Sequence, residues 1–188
     1  GDGTILRTTD GGTSWVQQST PIVRGWTDID LGQYPSGWIV GYNTLLDSRL
    51  LKTSDGGQTW NLDSSFAGSP GATQIQFTSH DIGWIVVGSA IGGSMQVVYK
   101  TTNGGVGWNA VLTSNADTIF SSMSFVDDSV GWISTIEYIV YRTTNAGSSW
   151  QRFQAPEFFS RVFFKDRVNG WAASSFGEIY SSNDRGQT

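Results

Sequence analysis

One octapeptide, which reads Thr53-Ser54-Asp55-Gly56-Gly57-Gln58-Thr59-Trp60 in its clearest copy, decides how this chain folds. A hydroxyl residue, then Asp or Asn, then glycine and finally tryptophan recur in the same order elsewhere. A further copy begins at Ser182 and reaches Thr188. Repetition of this kind is typical of arrays of small structural units. The complete copies span residues 8–15, 53–60, 101–108 and 143–150.

A second motif, Gly-Trp followed by Ile or Ala, alternates with the octapeptide. Gly3 and Gly177 occupy matching places four periods apart, so one period is about 44 residues, as in four-stranded propeller blades. Short runs of alternating apolar and polar residues fill each period and predict strands, which we letter A to D. The Gly-Trp motif opens strand B, and its copies are Gly37-Trp38-Ile39, Gly83-Trp84-Ile85, Gly131-Trp132-Ile133 and Gly170-Trp171-Ala172.

The sequence therefore predicts an all-β fold of four-stranded antiparallel blades, a β-propeller. We expect a single repeat region over residues 1–188 with about four blades, which form part of a larger propeller. Because the chain enters and leaves in strand C, we expect it to be incomplete, with an unpaired edge. The predicted units are a partial blade at 1–20, blades at 26–66, 73–112 and 119–153, and a partial blade at 160–188.

Each octapeptide falls between strands C and D, where the chain must reverse within a few residues. An Asp or Asn oxygen accepts hydrogen bonds from backbone N–H groups nearby, and the following glycine allows a positive φ. These residues are predicted to close turns rather than to bind a metal or a substrate. They are Asp10, Asp55, Asn103, Asn145 and Asp184.

The octapeptide resembles the Asp box of bacterial-neuraminidase-type repeats, Ser/Thr-x-Asp-x-Gly-x-Thr/Ser-Trp. Together with Gly-Trp strands such as Ser36–Gly41, it makes the whole chain similar to the photosystem II assembly and stability factor family and its bacterial relatives. The resemblance to sialidases is more distant. The family resemblance implies a propeller that binds another protein. The sequence departs from the motif at Asn103, Gly107, Asn145 and Ala146.

Composition excludes several classes of function. The net charge of −5 and the pI near 4.6 argue against nucleic acid as a partner, which would need clustered positive charge. With no cysteine and one histidine, His80, a zinc site is excluded, and we expect neither a cofactor nor a metal. No apolar run is long enough to predict a membrane span. The chain begins at Gly1 without an initiator methionine, so either a leader was removed or the chain is a piece of a longer protein; we expect an extracytoplasmic or secreted protein.

Candidate binding residues fall into two groups. In a propeller the D–A and B–C loops share the face opposite the octapeptides, and their side chains could bind a polar ligand or a partner. A basic residue also recurs in strand C just before each octapeptide, where the family resemblance implies partner contacts; solvated surface charge is the alternative for both groups. The loop group is Arg24, Trp26, Tyr42, Arg49, Glu137 and Tyr138, and the strand group is Arg7, Lys52, Lys100 and Arg142.

No catalytic constellation is evident. Retaining glycosidases need two carboxyl groups about 5 Å apart, and the chain has only three glutamates and no recognisable arginine triad. We therefore predict no catalytic residues and a non-enzymatic propeller that binds a protein or scaffolds an assembly. Two alternatives stay open: a fragment of a sialidase or xyloglucanase-like glycosidase, and a glycan-binding module that uses Trp26, Tyr42 and Tyr138 as platforms.

Overall fold

A computed structural model describes residues 3–20, 24–44, 47–64, 71–88, 95–115 and 118–187. Within these ranges the secondary structure consists of seventeen β-strands and turns, without an α-helix. Parts of the predicted blades lie outside the described residues, among them 65–66 at the end of the first complete blade.

The strands are short, as the alternating runs predict. In chain order they are β1 (Ile5–Arg7), β2 (Val16–Gln18), β3 (Gly25–Asp30), β4 (Gly37–Thr44), β5 (Asp47–Thr53), β6 (Asn61–Asp63), β7 (Ala72–Phe77), β8 (Gly83–Val87), β9 (Val97–Thr101), β10 (Asn109–Thr113), β11 (Phe120–Phe125), β12 (Gly131–Thr135), β13 (Ile139–Thr143), β14 (Gln151–Gln154), β15 (Phe159–Phe164), β16 (Gly170–Ser174) and β17 (Ile179–Ser182).

Consecutive strands pair in antiparallel fashion and form five separate sheets, which we number as blades 1 to 5 in chain order. Blade 1 is the pair β1–β2, and blade 5 is the three strands β15–β16–β17. Blades 2, 3 and 4 each have four strands, β3 to β6, β7 to β10 and β11 to β14, in sequential order. The predicted all-β fold of four-stranded antiparallel blades is confirmed.

In blades 2, 4 and 5 the octapeptide and the Gly-Trp motif lie at the same end, because the first residue of one pairs with the glycine of the other. In blade 2 the octapeptide begins at Thr53, the last residue of β5, and that residue pairs with Gly37 at the start of β4. We call this end of a blade the octapeptide end. The other end holds the start of β3, the end of β4 and the start of β5, and we call it the opposite end.

The glycine of the Gly-Trp motif is required by close packing within a blade. Gly131 pairs with Phe125 on the neighbouring strand, and the phenylalanine ring covers the glycine Cα. A Cβ at position 131 would overlap that ring, so the motif needs glycine wherever strand A ends in phenylalanine. Gly83 with Phe77 and Gly170 with Phe164 repeat the arrangement.

The chain divides into two compact units: Gly1–Val87 with Thr101–Trp108, and Gly88–Lys100 with Asn109–Thr188. In the first unit, Ile5 of blade 1 packs with Ile39, Leu51 and Trp60 of blade 2. Trp38 of blade 2 is fully buried, and its ring stacks on Phe77 of blade 3 with 3.5 Å between centroids. Blades therefore meet through a tryptophan of one and a phenylalanine of the next.

The second unit repeats this packing between blades 4 and 5. The ring of Trp132 stacks on Phe164 with centroids 3.6 Å apart. Val140 and Ala155 of blade 4 join Phe159 and Val162 of blade 5 in one buried cluster. An apolar cavity of about 90 Å³ adjoins this cluster, beside Phe153, Phe164 and Tyr180.

Polar side chains on strand A tie one blade to the next. In the first unit, Asp28 accepts the backbone N–H of Ile75 at 2.9 Å, and Asp30 accepts that of Phe77. In the second unit, Ser122 accepts the N–H of Val162 at 3.1 Å, and Ser124 that of Phe164 at 2.9 Å. These backbone donors lie at blade boundaries and need an acceptor from outside their own sheet. We call these contacts strand-A ties.

Candidate functional site

The octapeptide turn is held by its own aspartate. In the copy at 53–60, Oδ1 of Asp55 accepts the backbone N–H groups of Gln58 and Thr59, each at 2.9 Å. Oδ2 accepts the Thr59 hydroxyl at 2.6 Å. The Thr53 hydroxyl accepts the N–H of Gly57 at 2.9 Å and donates to Asp55. Gly57 has a φ of +79°, which glycine adopts at little cost.

These hydrogen bonds stabilise the ionised carboxylate. The side-chain and backbone donors of Ser14, followed by the Thr8 hydroxyl, lower the pKa of Asp10 to about 2. The matching donors of Thr59 and Thr53 hold the pKa of Asp55 below its ordinary range. Both oxygens of each carboxylate thus have partners within their own turn.

The copies with asparagine keep this geometry. Oδ1 of Asn145 accepts the N–H of Ser149 at 2.9 Å, and its Nδ2 donates to the Ser149 hydroxyl at 2.9 Å. Asn103 likewise accepts the N–H of Gly107 at 2.9 Å, although glycine supplies no hydroxyl there. Each asparagine oxygen thus accepts a backbone N–H within its own turn.

Three of the four recurring basic residues contact the next octapeptide. Lys52 Nζ donates to the carbonyl of Gly104 at 2.7 Å, and Lys100 Nζ donates to that of Ala146 at 3.1 Å. Arg7 Nε donates to the Gly56 carbonyl at 3.1 Å. In each pair the acceptor is the fourth residue of the octapeptide one blade later. The side chains of these three residues are half-buried, so part of each is open to solvent.

Four loop candidates gather at the opposite end of blade 2. Tyr42 pairs with both Gly25 and Ser48, and its carbonyl accepts the N–H of Arg24 at 3.1 Å. The Tyr42 ring lies so close to Gly25 that a Cβ there would be 2.8 Å from it. Arg49 pairs with Gly41, and Arg24 is exposed.

Trp26 belongs to the same end of blade 2. It is half-buried against the first unit's core, and its indole N–H donates to the carbonyl of Gly3 at 2.6 Å. Arg24, Tyr42 and Arg49 therefore lie at the same end of blade 2 as a tryptophan whose polar atom already has a partner. Arginine and aromatic side chains are the types that contribute most to protein interfaces.

Glu137 and Tyr138 lie at the opposite end of blade 4, in the turn between β12 and β13. Oε1 of Glu137 accepts the N–H of Ile119 at 3.2 Å, while its Oε2 is buried without a hydrogen-bond partner among the described residues. Tyr138 has a φ of +60° and an exposed ring. Both residues belong to the second unit, whereas Arg24, Trp26, Tyr42 and Arg49 belong to the first.

Sequence reasoning passed over two sets of residues. The strand-A ties were not recognised, although alternating polar residues on an otherwise apolar strand before each Gly-Trp motif would have indicated them. Arg185 was not singled out either; it stands where three octapeptides have glycine, at Gly11, Gly56 and Gly104. Both signals depend on aligning the repeats position by position.

The described ranges contain no helix of the length and apolar character that crossing a bilayer takes. In the same ranges no three or more His, Cys, Asp or Glu side chains converge as ligands for a metal ion. Asp28 and Asp30, whose spacing could suggest calcium, accept backbone N–H groups instead.

A family model described as photosynthesis system II assembly factor YCF48 matches residues 69–188, well over half of the chain. The chain belongs to this family. Among curated proteins, it is 25% identical over 146 residues to the chloroplastic photosystem II stability/assembly factor HCF136 of Arabidopsis thaliana. The match covers 74% of this chain and 34% of that protein, so the chain spans about a third of its relative's length.

Solved structures share the fold. A YCF48 bound to a D1 peptide has a TM-score of 0.68 at 19% identity over 96% of this chain and 57% of its own. YCF48 from Cyanidioschyzon merolae also gives 0.68, at 13% identity over 97% of this chain and 64% of its own. The GH74 enzyme of Niastella koreensis gives 0.60 at 17% identity, over 85% of this chain and 28% of its own. At these identities the likeness concerns the fold alone.

Proposed function

We propose that this chain is a non-enzymatic propeller module that binds a segment of another protein and serves as a scaffold in assembly. The observation that carries the proposal is the pair Arg24 and Tyr42 at the opposite end of blade 2, where the Tyr42 carbonyl accepts the N–H of Arg24. Its side chains do not recur from blade to blade, and Tyr42 and Arg24 are exposed. Residues that recur, such as Asp55, have their polar atoms occupied within the fold.

The comparisons support this proposal in a general way. The family is named for assembly, and one solved relative is described with a D1 peptide bound. Exposed arginine and tyrosine side chains suit an extended peptide with acidic or carbonyl oxygens, because arginine donates in a planar fork. The recurring basic residues Arg7, Lys52 and Lys100 are additional partner contacts in this proposal.

Peptide binding is the direct test. Fluorescently labelled peptides that tile the D1 protein are titrated with the purified chain, and fluorescence anisotropy is measured. We expect saturable binding of at least one peptide. The double variant Arg24→Gln/Tyr42→Ala should weaken it about tenfold or more, since interface residues of these types commonly contribute over 1 kcal/mol. Arg152→Gln, an exposed charge on β14, is the matched control and should bind as the wild type does.

Two results would count against the proposal. Failure of every peptide to bind would remove its basis, as would equal binding by the double variant. The glycosidase alternative is tested in parallel with xyloglucan oligosaccharides and fluorogenic sialosides. Turnover that disappears in Glu137→Gln while the melting temperature holds would favour an enzyme, and glycan binding without turnover would favour a glycan-binding module.

A further inference from the structure

Arg142 breaks the pattern of the recurring basic residues. Its counterparts Arg7, Lys52 and Lys100 are half-buried and each donates to a carbonyl of the next octapeptide. Arg142 is only 8% exposed, and its Nε has no hydrogen-bond partner among the described residues. A guanidinium group is charged at any ordinary pH, so a buried Nε–H without an acceptor is costly.

The carbonyl that corresponds to the acceptors of Arg7, Lys52 and Lys100 accepts a hydrogen bond from another residue in this blade, not from Arg142. By position it is the carbonyl of Arg185, the fourth residue of the octapeptide in blade 5. The indole N–H of Trp132 donates to that carbonyl at 2.8 Å. The guanidinium of Arg142 instead lies over the Trp132 ring, 5.9 Å from its centroid. This cation–π contact supports the charge but gives the buried Nε–H no oxygen acceptor.

A second guanidinium group increases the local positive charge. Burial lowers the pKa of Arg142, and the nearby charge of Arg185 lowers it further. Arg185 is exposed and has a φ of +74°, at a position where the first three octapeptides carry glycine with positive φ. A residue with a side chain is less stable than glycine in this backbone conformation. The chain therefore holds two neighbouring cations at a cost in both solvation and backbone conformation.

We propose that Arg142 and Arg185 together bind an oxyanion, either a carboxylate or a phosphate group. The fork of N–H groups on arginine matches two oxygens of either group, and these charge-assisted hydrogen bonds are stronger than neutral ones. The Trp132 ring lies against the Arg142 guanidinium, and the exposed Arg185 supplies a second donor. Arg167, the other arginine of blade 5 near this end, already donates to Asp127 at 2.7 Å. The site lies at the octapeptide end and does not depend on the proposed protein-binding function.

The indole N–H of Trp132 provides a local probe, because it donates to the carbonyl of Arg185. Its ¹H–¹⁵N signal is assigned from the spectrum of Trp132→Phe and followed while sodium phosphate or sodium acetate replaces sodium chloride at constant ionic strength. We expect a saturable shift with one ligand per chain. Saturation by phosphate alone identifies a phosphate site, and saturation by acetate identifies a carboxylate site.

Two conservative variants separate binding from stability. Arg142→Lys restores the residue found at Lys52 and Lys100 and keeps the charge, but loses the fork; affinity should fall about tenfold, the loss expected for one charge-assisted hydrogen bond. Arg185→Gly restores the glycine of three other octapeptides, Gly11, Gly56 and Gly104, so the melting temperature should hold or rise while affinity falls by a similar factor. Arg161→Gln, exposed on β15, is the charge-matched control.

A shift that never saturates, or one of equal size in the wild type and both variants, would overturn the proposal. That result would show a general salt effect without a site. Loss of binding in Arg161→Gln as well would equally contradict it, since the two named arginines would then have no special role.

Discussion

At the scale of single residues, the copies at 53–60 and 143–150 show how one turn tolerates two chemistries. Asp55 accepts the hydroxyl of Thr59, whereas Asn145 donates its amide N–H to the hydroxyl of Ser149. The hydrogen bond to Oδ1 is the same in both copies: the backbone N–H of Thr59 or Ser149 donates to it at 2.9 Å. The turn therefore accepts either a charged Asp or a neutral Asn, and only the direction of the side-chain hydrogen bond to the hydroxyl changes.

This difference predicts a dependence on pH. The folded pKa of Asp55 lies below the unfolded value of about 3.9, so the ionised carboxylate stabilises the fold above that pH and loses this effect as the pH falls. Asp10, with a pKa of about 2, behaves in the same way. We expect the melting temperature of the wild type to fall between about pH 4 and pH 2.

Exchange variants test the assignment to these turns. In Asp55→Asn the melting temperature should drop modestly at pH 7, and its fall on acidification should be smaller than in the wild type. Asn145→Asp should do the reverse and steepen the acid dependence. Equal acid dependence in the wild type and in Asp55→Asn, measured by calorimetry, would show that this carboxylate is not a source of the effect.

Residue roles were predictable from sequence only where they are local. The acceptor role of Asp55 follows from its own octapeptide, because donor and acceptor are at most four residues apart. The donation from Lys52 to Gly104 spans 52 residues, and no property of either residue alone indicates it. The same holds for Trp26, which the sequence sets apart from both repeats but cannot show to contact Gly3.

At the scale of strands, β11 combines ties to the next blade with packing inside its own. Ser122 and Ser124 are 3% and 6% exposed, and their hydroxyls accept the amides of Val162 and Phe164. Phe125, on the same strand, covers Gly131. The alternation predicted from sequence thus gives the two kinds of side chain on β11 different roles. The serines accept hydrogen bonds from the next blade, and Phe125 packs on a glycine of its own blade.

Loss of a tie should destabilise the chain. Ser124→Ala leaves the buried amide of Phe164 without its acceptor, which costs about 1–3 kcal/mol of unfolding free energy. Denaturant unfolding followed by tryptophan fluorescence measures the change. Ser181→Ala, on the exposed side of β17, is the control and should alter stability little. A Ser124→Ala chain as stable as the wild type would mean that the amide finds another partner.

At the scale of the whole molecule, repetition made the fold predictable. Strand type, the octapeptide hairpin and the Gly-Trp strand all follow from a pattern that recurs with a period of about 44 residues. The contacts that join blade to blade did not follow, because they depend on pairs of residues about 40 to 50 positions apart, and the pattern within one repeat does not show which residues meet. Binding residues were the least predictable, since they do not repeat.

Far-ultraviolet circular dichroism checks the fold as a whole. An all-β chain of short antiparallel strands should give a spectrum without the paired helical minima. We expect a helix content of a few per cent at most, because the described residues form strands and turns. A clear helical signal from the purified chain would contradict the blade architecture.

The strand-A ties have a direction, and this bears on synthesis. In both described sets the side-chain acceptor comes from the earlier blade and the backbone donor from the later one. As a ribosome extends the chain from its amino terminus, Asp28 and Asp30 leave the exit tunnel well before the amides of Ile75 and Phe77. Each finished blade can therefore act as a template on which the first strand of the next one is laid down, so that the array can grow while translation is still under way.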